Sequence, residues 1–455
     1  MFTKRLNSIR ATKWILLLTV VLAMLSNRLV AAAAFSRIIV FGDSMSDSGN
    51  LYDLSNGFAN TAPYYDGHAS NGPVWIEHVA AALGFPALEA SRSGGTNYAY
   101  AGAQAGAGFS AASKYSLVPD NADDYGIPNV AVQIDEFLGD DHTFTDDDLI
   151  ALWVGHNDLG YWSKSPRTLI ANLSDHISQL YEGGARNFLV GNVFSQFGDR
   201  FTLPGSSSLN ALLADQVNTW RTDLSGVAID TLDVAQLWTR VVANPQDFGF
   251  TELNIPAFNG ETGEVAMNVD EYAWWDFVHP TASFHRVIAR EALASLSKLT
   301  LGDFDDDGLL TSNDLDELTT AIGTDDRRFD LNLDTQVDDI DRVIWIDELK
   351  HTWLGDANLD GEFNSADLVH VFQLGQYEDD IADNSTWSTG DWDGDREFTT
   401  TDFVLAMQGG GYNAGPRQLA AAVPEPSGLS LLSLAVCWLL RLRLDKYSSA
   451  GTRFD

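Results

Sequence analysis

Cysteine is nearly absent. The one cysteine in 455 residues is Cys437, so no disulfide can close within the chain. Lysine and arginine are also scarce, 27 against 64 aspartates and glutamates, which leaves a formal net charge of −37. A shortage of cations on this scale argues against nucleic-acid binding and against electrostatic attachment to anionic membranes. Two catalytic signatures are missing too: there is no Gly-x-Ser-x-Gly elbow and no His-Glu-x-x-His zinc motif. The excess acidity is unevenly spread. Residues 301–408 hold 29 acidic residues but only Arg327, Arg328, Arg342, Lys350 and Arg396 as cations, a balance of −24 in 108 residues.

The two ends read as targeting segments. Residues 1–34 carry Lys4, Arg5, Arg10 and Lys13, then the apolar run WILLLTVVLAML and four alanines at 31–34. That is the layout of a secretory signal peptide cleaved near Ala33 or Ala34, with a membrane anchor as the alternative. An exported chain without disulfides must draw its stability from core size or bound metal. Near the other end, Pro424-Glu425-Pro426 precedes an apolar run, Leu429 to Leu440, and then Arg441 and Arg443. The run is short for a bilayer span, which takes roughly 20 residues. Residues 424–455 resemble the PEP-CTERM sorting signal of Gram-negative envelopes. That resemblance implies exosortase-type machinery as a partner and the cell surface or extracellular matrix as destination. A plain single-pass anchor is the alternative, and both readings export the protein.

Between 35 and 299 short apolar runs alternate with amphipathic ones. RIIVFG (37–42), DLIALWVG (148–155), NFLVGN (187–192) and VAIDTLD (227–233) read as buried strands. Helical spacing is found at 73–83, 128–138, 168–184, 209–224 and 281–299. Continuous apolar strands alternating with helices indicate an α/β fold, a parallel sheet covered on both faces. Sites in such sheets lie beyond the carboxyl ends of the strands. Residues 409–423 read as a linker.

The first strand ends in Gly42-Asp43-Ser44, which delivers a serine to that edge. A serine hydroxyl becomes a nucleophile when a base takes its proton and a third group orients the base. DFVHP supplies Asp276 and His279, three residues apart, before the last helix of this block. GHND (155–158) follows a strand and offers the Asn157 amide, and Gly102 in NYAYAGA allows a backbone N–H to approach closely. Ser46, Asp47, Ser48 and Asn50 are expected to cap and shape the turn after Ser44.

The blocks FGDSMSDSGN, NYAYAGA, GHND and DFVHP, in this order, closely resemble the four blocks of the GDSL or SGNH hydrolases. SNGPVWIEHVAAAL (70–83) further resembles the lecithinase, hemolysin and phospholipase branch. The resemblance covers 35–299 and implies a three-layer α/β/α, flavodoxin-like fold and a serine esterase or lipase acting on carboxylic esters. It makes Ser44 the nucleophile, His279 the general base and acid, and Asp276 the group that orients His279. Ser44, Gly102 and Asn157 become the oxyanion donors, and catalysis needs no cofactor. Met45 stands where the family often has Leu.

The acidic block contains a repeated spacing of oxygen-bearing residues at positions 1, 3, 5, 9 and 12. The four sets are Asp303, Asp305, Asp307, Thr311 and Asp314; Asp330, Asn332, Asp334, Asp338 and Asp341; Asp356, Asn358, Asp360, Asn364 and Asp367; and Asp391, Asp393, Asp395, Thr399 and Asp402. Such spacing wraps a loop around one calcium ion. Aspartate at position 12 and the short helices that follow resemble type I dockerin repeats, which would form EF-hand-like pairs at 301–350 and 351–408. The resemblance implies structural calcium and either a cohesin-like protein partner or intramolecular pairing. Thr335 and Arg396 replace the glycine found at position 6 in Gly308 and Gly361, so loops two and four are expected to bind calcium more weakly. The hydrolase block itself is expected to fold without metal.

The leading expectation is an exported ester hydrolase acting on lipid or acetylated polysaccharide. The alternatives are an acetyl esterase attached to a polysaccharide-degrading complex, and a surface scaffold or adhesion protein whose hydrolase block is secondary. Trp274, Trp275 and Phe277 flank His279 and read equally as core or as a substrate wall.

Overall fold

A computed structural model describes residues 34–117, 124–139 and 142–417. The apolar run of the N-terminal signal and the whole sorting segment lie outside the described residues, as does 418–423 of the linker. Among the described residues no helix is long and apolar enough to cross a membrane. The chain divides into two compact units, with the boundary between Trp345 and Ile346.

In the first unit, four parallel strands pair in sequence order: β1 (Arg37–Gly42), β2 (Asp148–Trp153), β3 (Asn187–Gly191) and β4 (Ala228–Leu232). Every residue of β2 and β3 is buried, as is every residue of β1 after Arg37. Their unbroken apolar runs therefore belong to strands covered on both faces. Register is marked at the first β1–β2 pair, where Arg37 Nη2 meets Asp148 Oδ2 at 2.5 Å.

On the other side of β1 an extended segment adds a fifth, minimal strand. Val40 N–H donates to Thr96 O (3.0 Å), Tyr98 N–H to Val40 O (2.8 Å) and Tyr100 N–H to Gly42 O (3.2 Å). That segment lies between β1 and β2 in sequence, so the order runs 2-1-3-4-5 across the sheet, as in flavodoxin-like folds. The switch point of such a sheet lies at the carboxyl ends of β1 and β2, where ligands bind.

Helices α1 (Trp75–Ala82), α2 (Val130–Gly139), α3 (Pro166–Glu182), α4 (Ser206–Asp223), α5 (Val234–Ala243) and α6 (Ala282–Ser295) cover the sheet. They pack in two groups, α1 with α6 and α5, and α2 with α3 and α4. Serine at the N-cap and proline at N1 start α3, with Ser165 Oγ accepting from Thr168 N–H. The continuous core runs from Ile38, Ile39 and Phe41 through Leu149, Leu152 and Phe188 to Ile288 and Leu293.

The same core includes Leu333, and Leu299 and Leu301 pack against it. Residues 301–345, with α7 (Ser312–Ala321) and α8 (Asp339–Ile344), thus share the unit of the parallel sheet. The Trp345 indole N–H donates to Gly302 O at 2.8 Å, and the Phe304 ring packs tilted against Phe329 at 4.4 Å. The compact boundary falls five residues before the boundary expected at 350, and acidic loops three and four lie in the second unit. That unit packs α9 (Ser365–Leu374) and α10 (Thr400–Gln408) around buried Phe363, Val371, Trp387, Trp392 and Phe398.

The four acidic loops share one hydrogen-bonding plan. The position 12 carboxylates of Asp314, Asp341, Asp367 and Asp402 are fully buried. Each accepts from the backbone N–H of position 2 and of position 9, as Asp314 does from Phe304 (2.7 Å) and Thr311 (2.8 Å). Residues at position 9 (Thr311, Asp338, Asn364 and Thr399) are the N-caps of α7 to α10. Thr335 and Arg396 hold the position 6 turn at φ 85° and 68°, a region that β-branched and bulky residues enter at a cost. The carboxylates of Asp303, Asp305 and Asp314, and those of Asp391, Asp393 and Asp402, each converge within 4.8 Å. Loop four gathers its acids as loop one does, although it lacks the glycine at position 6.

Candidate active site

Gly42 closes β1 where no side chain fits, since a Cβ there would stand 2.3 Å from Trp153 O. The Gln133 side chain of α2 clamps this end, accepting from Gly42 N–H and donating to Gly42 O, both at 2.9 Å. The chain then turns through Asp43 and presents Ser44 at the carboxyl edge of the sheet.

The turn is held by buried polar groups. Asp47 accepts from the N–H groups of Gly49 (2.8 Å), Asn50 (2.6 Å) and Leu51 (3.1 Å), capping the short helix Asn50–Leu54 as its position suggests. It also accepts from Ala101 N–H at 2.8 Å, which ties the serine turn to the Gly102 segment. Ser46 and Ser48 do other work: Ser46 Oγ accepts from the Trp75 indole (3.0 Å), and Ser48 Oγ accepts from Asn97 Nδ2 (3.0 Å).

Ser44, Asp276 and His279 meet. His279 Nε2 stands 2.9 Å from Ser44 Oγ, and His279 Nδ1 stands 2.7 Å from Asp276 Oδ2. The other carboxylate oxygen accepts from Val278 N–H (2.9 Å) and His279 N–H (2.8 Å), so one turn fixes both members. Burial would lower the pKa of His279, but the Asp276 charge and hydrogen bond, with the Asp43 charge, hold it above its ordinary value. Burial would raise Asp276, yet the His279 charge and the four-residue turn keep it below the ordinary carboxylate range. A hydroxyl so placed can pass its proton to an imidazole whose positive charge a fixed carboxylate stabilises.

Gly102 and Asn157 line the same cavity as Ser44 and His279. Gly102 has φ 86°, and a Cβ there would stand 2.8 Å from Ile127 Cδ1, so both backbone and space require glycine. Asn157 spends one amide N–H on Ala103 O at 2.9 Å, and its side chain carries a second. Asp158 braces this edge by accepting from Ala105 N–H (3.0 Å); burial, aided by the Asp43 charge, pushes it up to about 7.

The cavity measures about 210 Å³ and is walled mainly by apolar side chains, among them Met45, Leu51, Tyr115, Phe197, Phe201 and Leu203. Trp274 and Trp275 are buried in the aromatic core, Trp274 packing on Phe194, Trp238 and Phe284. Phe277 is 53% exposed and faces Phe201 at 6.3 Å. Of the three aromatics beside His279, only Phe277 is exposed, and none of the three lines the cavity.

Two residues beside Asp276 went unnoticed in the sequence reading. Tyr64 Oη donates to Asp276 Oδ2 at 2.9 Å, and Arg200 lies near Asp276 O (3.4 Å) with its guanidinium over the Phe277 ring. Neither lies in a recognisable block, and no local spacing signals them.

A parallel α/β sheet with a Ser-His-Asp array at its carboxyl edge defines a class of hydrolase, and comparison with known proteins narrows it. The model of the GDSL-like lipase/acylhydrolase family matches residues 38–292, and the chain belongs to that family. It is an ester hydrolase. The chain is 28% identical over 286 residues to a phosphatidylcholine-sterol acyltransferase of Aeromonas hydrophila, covering 60% of this chain and 77% of that protein. It is 22% identical over 300 residues to a thermolabile hemolysin of Vibrio parahaemolyticus, covering 58% of this chain and 64% of the hemolysin. A GDSL esterase/lipase of Arabidopsis thaliana is 28% identical over 319 residues, covering 56% of this chain and 85% of that protein. Among solved structures, a member of the lipolytic G-D-S-L family from Veillonella parvula aligns with a TM-score of 0.33 at 15% identity, covering 58% of this chain and 99% of that one.

Proposed function

We propose that the chain is an exported serine esterase of lipid-like carboxylic esters. The observation that carries the reading is the continuous contact from Ser44 Oγ through the His279 ring to Asp276. Ser44 Oγ attacks the ester carbonyl carbon while His279 Nε2 takes its proton, and Asp276 holds the ring and stabilises the imidazolium. Negative charge on the former carbonyl oxygen is met by the N–H groups of Ser44 and Gly102 and by Asn157 Nδ2. The tetrahedral intermediate collapses as His279 returns the proton to the leaving alcohol. Water then attacks the acyl-serine by the same route, with His279 again as base.

The apolar wall of the cavity supports an acyl chain as the group bound, and two relatives carry names that point to phospholipid or to membrane lysis. The second reading, an acetyl esterase carried to polysaccharide by a cohesin-like partner, draws on the dockerin-like repeats. A chain-length series of p-nitrophenyl esters, run beside phosphatidylcholine and acetylated xylan with Ser44→Ala as control, separates the two. Turnover that peaks at acetate and acetylated xylan would overturn the lipid reading.

The acidic loops fit calcium by their donor chemistry: hard oxygen ligands only, with three carboxylates converging within 4.8 Å in loops one and four. Positions 1, 3, 5 and 12 of each loop would hold the ion, which would supply charge balance and loop order rather than catalysis. Export through the N-terminal signal and surface sorting through residues 424–455 complete the proposal. Mass spectrometry of the native protein tests both ends at once, since an intact chain through Asp455 would favour a single-pass anchor.

A further inference from the structure

The Asp276 carboxylate is saturated. Oδ1 accepts from the Val278 and His279 backbone N–H groups, and Oδ2 accepts from His279 Nδ1–H and, at 2.9 Å, from the Tyr64 hydroxyl. Two carboxylate oxygens offer about four lone-pair sites, so Tyr64 fills the last one, and it does so on the oxygen that faces the imidazole. We propose that Tyr64 is a positioning residue of the ester-hydrolase reaction, fixing the Asp276 carboxylate and moderating its pull on His279. This rests on the reading of Ser44, Asp276 and His279 as the reacting array.

The tyrosine is built into place from outside the four sequence blocks. Its backbone N–H donates to Thr61 O (3.1 Å), and the next residue, Tyr65, donates to Ser70 O (2.8 Å), which folds the loop over the site. Its ring meets Phe258 at 5.6 Å and Trp275 at 5.9 Å, both edge-on, while Phe258 and Trp275 stack on each other at 5.3 Å. Phe258 in turn is held by its N–H to Trp275 O at 2.7 Å. The hydroxyl therefore reaches Asp276 from a ring that Phe258 and Trp275 orient. Burial, together with the adjacent Asp276 charge, raises the phenol well above its ordinary range, so it stays protonated and remains a donor wherever the enzyme works.

A shared acceptor has a consequence of definite sign. Density that Oδ2 gives to the phenol is withheld from His279 Nδ1–H, so loss of the phenol makes the imidazolium easier to form. Asp276 and Asp43 act on His279, the His279 charge in turn bears on His285, and the Asp276 charge bears on Arg200 and Tyr161. All of these remain when only the Tyr64 oxygen is removed.

The test is Tyr64→Phe in the full chain, which keeps the ring packing and deletes the donor. The acid limb of kcat/KM should move to higher pH by about half a unit, and kcat should fall roughly tenfold with KM little changed. A ring-fluorinated tyrosine at the same position, a stronger donor, should move the limb to lower pH and keeps the proposal testable if the phenylalanine variant folds poorly. Wild-type kcat and an unmoved limb in Tyr64→Phe, or limbs that move the same way in both variants, would overturn the proposal. Ser44→Ala run in parallel separates the failures: retained turnover there removes the reacting array itself, whatever Tyr64 does.

Discussion

His279 Nε2 stands 2.9 Å from Ser44 Oγ although 235 positions separate them in sequence. The contact spans the sheet edge, from the turn after β1 to the turn before α6. Removing either partner should therefore abolish ester hydrolysis while the fold persists, because neither side chain belongs to the apolar core. Ser44→Ala should leave the circular dichroism spectrum and melting temperature near wild type, whereas His279→Ala should keep the spectrum but lower the melting temperature, because Asp276 loses its buried partner. Near wild-type turnover by the serine variant would refute the assignment.

The proposed oxyanion donors can be tested one at a time. Asn157→Ala removes the amide but spares the backbone, and should lower kcat by about two to three orders of magnitude, the usual effect of one lost donor. Gly102→Ala is a different experiment. At φ 86° with Ile127 Cδ1 2.8 Å from the new Cβ, it should cost stability as well as activity. A kcat loss in Asn157→Ala of less than tenfold would take Asn157 out of the oxyanion site.

The pH profile follows from the pair at 276 and 279. Burial opposes the charge on His279, but Asp276 and Asp43 outweigh it, so the folded pKa lies above the ordinary histidine value of about 6.5. In the proposed mechanism the working base is the neutral ring, so kcat/KM should fall on the acid side at a pH above 6.5 rather than below it. Stability has the opposite dependence. The raised His279 contributes stability that is complete below about 6.5 and is lost as pH rises through the folded value. Asp276→Asn should move the acid limb to lower pH and lower kcat by roughly a thousandfold or more. An unmoved limb in that variant would show that another group sets it.

Much of this site was legible in the sequence because its parts are local. A buried parallel strand must be an unbroken apolar run, so RIIVFG, DLIALW and NFLVG declare themselves and fix which end carries Ser44 and Asn157. Asp276 and His279 share one turn, which puts both in one short motif. Tyr64 and Arg200 were not legible, since each meets Asp276 through tertiary packing across at least 76 positions. Helix α5 was missed for another reason: VAQLWTRVVA follows the last strand so closely that its start merged with the strand run. Ser46 and Ser48 looked like caps because serine often is one. Ser46 is buried beside Trp75 and Ser48 half-buried beside Asn97, and they answer instead to indole and amide groups that no local pattern reveals.

The first acidic pair was expected to stand apart from the hydrolase, yet Leu333, between positions 3 and 5 of loop two, is buried in the hydrolase core. Trp345 returns its indole to Gly302, and Arg328 lies where a side chain on Gly84 of the post-α1 turn would meet it, 2.9 Å from the Cβ position. Removing residues 301–345 would take away Leu301 and Leu333 and expose the apolar surface they cover, Leu299 included. Truncation after residue 300 should therefore lower the melting temperature of the hydrolase, whereas truncation after Trp345 should not. Leu333→Ala in the full chain should cost about 2–5 kcal/mol, as for other core leucines. If loops one and two hold calcium, chelation should lower the melting temperature of the fragment ending at Trp345, because an ion bound only to the folded state stabilises it by mass action. Chelation should also melt the second unit, which has its own small core. Calorimetry of the two truncations, with and without chelator, decides the matter. A fragment ending at 300 that melts like the one ending at Trp345 would show that Leu333 is covered by the core without supporting it.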